Sequence, residues 1–264
     1  MPSVVIERKG SIAYLIMNRP AMLNVLDYDM MLGLRAASFE LKNDEAIKCV
    51  VVRGAGDHFM AGGDIGYFKK LVDAYALEGE SAYPDDIFEN IHAVTRNIVS
   101  MEKPVIACVK GAAAGFGLSL MLACDLVVAA DDSVFSVAYC NIGATPDGGM
   151  TYFLPRAVGQ KKAMELVLTG EKFSSQQALS WGLLNRVVPS DEVVVVANQL
   201  AAQLCKAPQQ VIKRSKRLLN QTFSVSLDEQ LDNEASSFQQ CMLENDFTEG
   251  VTAFSERRKA KFSE

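Results

Sequence analysis

The sequence predicts an α/β fold, with one layered core over the first two thirds of the chain and a helical last third. Three observations lead there. Short apolar, β-branched runs alternate with amphipathic stretches as far as about Gly159, and strand-like runs nearly vanish from Gln160 onward. The chain has 264 residues, 49% apolar and 22% charged, which suits one large domain with a full core rather than a disordered or fibrous chain.

Taken in order, Ile12 to Met17, Cys49 to Arg53, Val105 to Val109 and Leu126 to Ala130 are continuous apolar runs of strand length, and they are expected as buried strands. Asp27 to Leu41 has helical apolar spacing. Asp86 to Ser100 is a second helix, with Ile87, Ile91, Val94 and Ile98 on one face. Gln160 to Leu168, Ser175 to Trp181, Asp191 to Leu204, Pro208 to Gln221 and Leu227 to Glu244 are the helices expected toward the C-terminus. No repeat or low-complexity linker separates the two parts. The chain therefore divides into a core over 1–195 and a helical region over 196–264, docked on that core or on a neighbouring subunit. Tyr75 to Asp85, with Gly79 and Pro84, is the expected mobile loop.

Composition narrows the function. A net charge of −6 disfavours a sequence-blind grip on nucleic acid, which depends on many cations neutralising phosphates. The apolar stretch from Pro104 to Ala130 contains Lys110, Asp125 and three glycines, so no membrane span is expected. Six cysteines are scattered without a C-x-x-C pair, which points to free thiols in a reducing compartment. Met1 to Lys9 lacks the pattern of a secretory signal, and a cytoplasmic location is expected. His58 and His92 offer no ligand spacing, and no metal site is expected. Ser119 has neither a nearby histidine nor an elbow motif, which argues against a serine nucleophile.

Two glycine-rich segments stand out. Asp57 His58 Phe59 Met60 Ala61 Gly62 Gly63 Asp64 follows a strand, and Asp64 there serves as a helix cap or a substrate contact. Gly111 to Leu120 also follows a strand and runs into an apolar helix, whose N-terminal amides suit negative charge. Either alone reads as tight packing. Together they offer two amide donors, Gly63 and Phe116, of the kind that stabilise a thioester enolate oxygen. Asp147 lies in Pro146 Asp147 Gly148 Gly149, a turn sequence ahead of a helix at Thr151 to Arg156, and is either a turn or capping residue or a base. Tyr139 is either a core residue or a group that orients substrate.

These two segments resemble the crotonase (enoyl-CoA hydratase/isomerase) family, with its F-x-A-G-x-D and G-x-x-x-G-x-G loops. Asn18 Arg19 Pro20 with Asn24, Ala123 to Leu126, Leu154 to Gly159 with Ala163 to Glu165, and Ala178 to Val188 resemble further family motifs. The resemblance implies a spiral of β-β-α turns and a C-terminal helical region supporting a homotrimer or dimer of trimers. It also implies an acyl-CoA substrate, with coenzyme A entering as part of that substrate and no separate cofactor. The two glutamates of the family hydratases fall on Ser119 and Tyr139 here, and Asp147 resembles the aspartate of certain family isomerases and of the aryl-CoA dehalogenases. The readings it leaves open are an isomerase using Asp147, a hydratase using Asp147 and a water, a dehalogenase-type nucleophile, and a non-catalytic acyl-CoA-binding protein. Arg19, Met22 to Asn24, the Ala61 carbonyl, and Lys261 with Phe262 fall where family members touch the coenzyme.

Overall fold

The computed structural model describes residues 1–79 and 84–262. Its larger sheet has the order β1-β2-β3-β4-β6-β9, built from β1 (Val4–Lys9), β2 (Ile12–Met17), β3 (Cys49–Gly54), β4 (Val105–Val109), β6 (Leu126–Ala130) and β9 (Arg186–Val188). β1 and β2 are antiparallel and every later pairing is parallel, with Tyr14 beside Val51 and Val51 beside Ile106. Strand side chains alternate between faces, so Leu15, Met17, Val50, Val52, Ala107 and Val109 enter the main core. Tyr14, Ile16, Val51, Ile106, Cys108 and Val128 face the other way, beneath α8 (Val193–Cys205), which covers them with Val193, Ala197, Leu200 and Ala201. Burial on both faces is why these strands read as unbroken apolar runs. The division expected between residues 195 and 196 falls inside α8.

A second layer holds β5 (Ala112–Ala114), β7 (Val134–Ser136) and β8 (Lys172–Ser174), β5 parallel to β7 and β7 antiparallel to β8. Single-residue bridges join Met60 to Ala113 and Leu26 to Gly63. On the outside α1 (Tyr28–Asn43), capped by Asp27 through the Met30 amide at 2.9 Å, packs against α3 (Ile87–Ser100). The stretch from Pro104 to Ala130 divides into β4, β5, α4 (Phe116–Ala123) and β6. Among the described residues no helix is long and apolar enough to cross a membrane.

The structure corrects several expectations. α2 (Ile65–Glu78) runs through Tyr75 and ends at Gly79, so the loop expected from Tyr75 starts four residues later, and residues 80–83 lie outside the described part. Ala74, Leu77 and Glu78 are good helix formers with no breaker before Gly79. Beyond α5 (Met150–Val158), α6 (Gln160–Thr169) and α7 (Ser175–Ser180), the C-terminus adds α9 (Gln209–Gln221), α10 (Leu227–Met242) and an unforeseen α11 (Asn245–Ser255). Cys49, Cys108 and Cys124 are buried free thiols, and burial pushes the Cys108 thiol up to about 11.

Candidate active site

Because β3 and β4 are parallel neighbours, their carboxyl ends lie side by side and the loops that follow them emerge together. The loops are sewn to each other: Phe59 N–H donates to the Lys110 carbonyl at 2.8 Å, Met60 N–H to Ala112 at 3.0 Å, and Ala114 N–H to Met60 at 3.0 Å. His58 joins in through Nδ1, which accepts from the Ala112 amide at 3.1 Å. Asn24, fully buried, accepts from the Arg19 amide at 2.8 Å and donates to the Ala55 and His58 carbonyls at 3.0 and 2.7 Å. Gly115 links β5 to α4 at φ 49°, a left-handed conformation, and a Cβ there would stand 3.4 Å from the Gly62 Cα. Among the described residues neither the Gly63 nor the Phe116 amide donates to another backbone carbonyl. Phe116 opens α4, so its N–H also carries the positive end of the helix dipole.

Gly63 and Phe116 both line a cavity of about 950 Å³. Its walls are mostly apolar and aromatic, drawn from α2 (Tyr67, Phe68), α3 (Phe88, Ile91) and the segment 138–147. Asp147 is the one carboxylate among the described residues lining it. The Asp147 turn packs on α4 through Gly148 at φ 60°, where a Cβ would lie 2.8 Å from the Phe116 ring and 3.0 Å from the Ser119 Cβ. From the other side Thr95 Oγ1 donates to the Gly148 carbonyl at 3.0 Å.

Asp147 is not a helix cap. Gly149 holds the N-cap position of α5 without a side-chain cap, and the Asp147 carboxylate instead accepts the Tyr139 hydroxyl at 2.5 Å. Ser119 Oγ lies 3.1 Å from the Tyr139 oxygen and 2.9 Å from the Asp147 carbonyl. Ser119 and Tyr139 thus converge on the aspartate. Burial raises the Asp147 carboxyl above the usual carboxylate range, opposed by the Tyr139 hydrogen bond and the charge of His92. Burial, with the Asp147 charge beside it, raises the Tyr139 phenol further and keeps it protonated.

Of the other sequence-level candidates, Ala61 lines the cavity, and among the described residues its carbonyl accepts no backbone hydrogen bond. Asp64 does not line it. Its carboxylate caps α2 through the Tyr67 amide at 3.1 Å and pairs with Arg19 at 3.1 Å, and burial is outweighed by these contacts, so it stays below the usual carboxylate range. Arg19 is held by Asp27, Asp64 and the Val25 carbonyl, in keeping with a structural part. Met22 is exposed on the 3-10 turn Pro20–Met22, away from the cavity lining. Lys261, whose amide donates to Glu249, and Phe262, which lines a separate groove with Phe247 and Phe254, lie apart from the cavity in this chain. His92, passed over in the sequence, lines the cavity, and its signal was the helical spacing of Phe88, His92 and Thr95.

The comparisons with known proteins agree with this architecture. The enoyl-CoA hydratase/isomerase family model matches residues 7–264. A crotonyl-CoA hydratase from Syntrophomonas wolfei is 33% identical over 261 residues, covering 98% of this chain and 97% of the relative. A 1,2-epoxyphenylacetyl-CoA isomerase from Escherichia coli is 34% identical over 249 residues, covering 94% of each. The crystal structure of an enoyl-CoA hydratase from Polaromonas sp. JS666 superposes with a TM-score of 0.90 at 32% identity, over 98% of this chain and 99% of that one. The chain belongs to the enoyl-CoA hydratase/isomerase, or crotonase, family of enzymes and has its fold.

Proposed function

We propose that the protein isomerises the double bond of an enoyl-CoA through a thioester enolate, with Asp147 as the only base. The observation that carries this is a single carboxylate, among the described residues, in a cavity lined by Gly63 and Phe116, whose amides donate to no backbone carbonyl among the described residues; the family resemblance supports it, putting Ser119 and Tyr139 where a hydratase has glutamates. Asp147 takes the proton from C2 of a 3-enoyl thioester as electrons move onto the thioester oxygen, which accepts hydrogen bonds from Gly63 and Phe116. Asp147 then returns that proton to C4, and the double bond is left at C2. The raised proton affinity of Asp147 suits a carbon acid better than an ordinary carboxylate would.

The Ala61 carbonyl is free to accept from the adenine, with Met22 beside the nucleotide. Lys261 and Phe262 stand away from their own cavity, so in this reading they serve the site of a neighbouring subunit in a homotrimer or dimer of trimers. The exposed Phe238, Met242, Val251 and Phe254 on α10 and α11 support such contacts, with the C-terminal helices as the assembling region.

A second reading, hydration, is favoured by one observation: His92 shares the cavity with Asp147, and the two can orient a water between them. Incubation with trans-3-hexenoyl-CoA and trans-2-hexenoyl-CoA separates the two. Isomerisation gives a product of unchanged mass and hydration one heavier by a water. Loss of the isomer in Asp147→Asn by a factor of about 10²–10⁴ is the expected result. Undiminished turnover in that variant would remove Asp147 as the base.

A further inference from the structure

The residues standing where the hydratase glutamates fall do more than vacate those positions. Tyr139 is 9% exposed and Ser119 fully buried, yet each directs its hydroxyl at the Asp147 turn. With Asp147 ionised, the 2.5 Å contact takes the single phenolic proton, so Tyr139 is the donor, in the range of a charge-assisted O–H···O⁻ bond. Ser119 then has its own proton for the tyrosine oxygen at 3.1 Å or the Asp147 carbonyl at 2.9 Å. The other carboxylate oxygen, Oδ2, receives no side-chain donor among the described residues. A base that lifts a proton from one carbon and sets it on another needs a fixed pivot, and a freely turning carboxylate would interchange its oxygens.

Resting on the reading of Asp147 as the base, we propose that Tyr139, braced by Ser119, is a positioning residue whose hydroxyl occupies Oδ1 of Asp147 and leaves Oδ2 as the proton-carrying oxygen. Tyr139 acts through Asp147 and moves no proton to substrate. It also restrains the carboxyl: a hydrogen bond to the ionised form opposes the effect of burial, so the base stays ionised over a wider range of pH. Among the described residues, the other titratable groups lining the cavity are His92 on α3 and Tyr67 and Lys69 on α2.

The test titrates the Asp147 carboxyl by ¹³C NMR in ¹³C-aspartate-labelled wild type, Tyr139→Phe and Ser119→Ala, the signal being assigned by its absence in Asp147→Asn. The same proteins are assayed across pH with trans-3-hexenoyl-CoA. In Tyr139→Phe the carboxyl titration and the acidic limb of kcat/KM move upward together, and kcat falls about tenfold, as for loss of one hydrogen bond to a charged group, with KM little changed. Ser119→Ala shifts both the same way by less. A folded Tyr139→Phe whose Asp147 titration coincides with wild type overturns the proposal, as does a titration that moves while the limb stays. Full turnover in Asp147→Asn would instead sink the assignment of the base, whereas an inactive Asp147→Asn beside an unaltered Tyr139→Phe removes Tyr139 alone.

Discussion

The two loops that follow β3 and β4 and the turn that carries Asp147 face one cavity from opposite constraints. The loops offer main-chain groups, fixed by interloop hydrogen bonds and by the buried Asn24, so their requirement is for shape. The turn offers a side chain whose partners, Tyr139 and Ser119, set what that side chain does. In the proposed reaction, electrostatic stabilisation would therefore be written into main-chain geometry, whereas proton transfer would depend on a few exchangeable side chains. On that reading, such a division would let one scaffold keep its oxygen-binding half while the acid/base half varies.

The largest expected effect is on the side-chain half. Asp147→Asn, inactive in the proposed reaction, should keep or gain thermal stability, because it removes a charge that burial disfavours. A carboxyl with raised proton affinity binds more protons folded than unfolded, so its part of the stability falls as pH rises from the ordinary carboxylate range through its folded value. Melting temperature followed across pH should show that decline in wild type and not in the variant. A variant that unfolds earlier at neutral pH would make Asp147 a structural residue and dissolve the contrast.

Next is the backbone half. Gly115→Ala forces a Cβ onto a left-handed residue facing Gly62 and displaces the Phe116 amide. Loss of one such donor lowers kcat by about 10²–10³ with the acid limb of the pH profile unmoved. A shifted limb with intact kcat would show that the two halves are not separable.

The smallest effect belongs to the support of the first loop. Asp64→Ala removes the α2 cap and the Arg19 partner, and should destabilise the fold by about 1 kcal/mol in denaturant titration. Folding lowers the proton affinity of this carboxyl, so its contribution is present above the ordinary carboxylate range and fades as pH falls through the folded value. A strong rise in KM without a stability change would instead place Asp64 on the substrate.

The shape-determined half was the more legible in the sequence. β3 and β4 are apolar runs of strand length, and their loops carry glycines where chains must touch, so Gly63 and Phe116 could be named as a pair. Asp147 could be named as well, but the Tyr139 contact could not. The path between them runs from a 3-10 turn at Tyr139–Ile142 through Gly143 at φ 70°, with Ala138 at φ 60° just before it and Gly148 just after, and such a path has no period to read. β1 and β9 escaped notice because one ends in charged edge residues and the other has three residues, each defined mainly by its neighbour in the sheet. Lys261 and Phe262 carried a local pattern, but local pattern does not say which cavity a terminal segment meets.

One helix serves both the pocket wall and the Asp147 turn. α3 presents Phe88, Ile91 and His92 to the cavity and, from the same rod, holds the Asp147 turn through Thr95. During divergence toward bulkier or slimmer acyl groups, any tilt of α3 that reshapes the pocket would also carry the Asp147 turn with it. If Asp147 is the base, pocket shape and proton-transfer geometry would be coupled through this helix, so adaptation to a new acyl chain would be expected to bring compensating changes around Gly148.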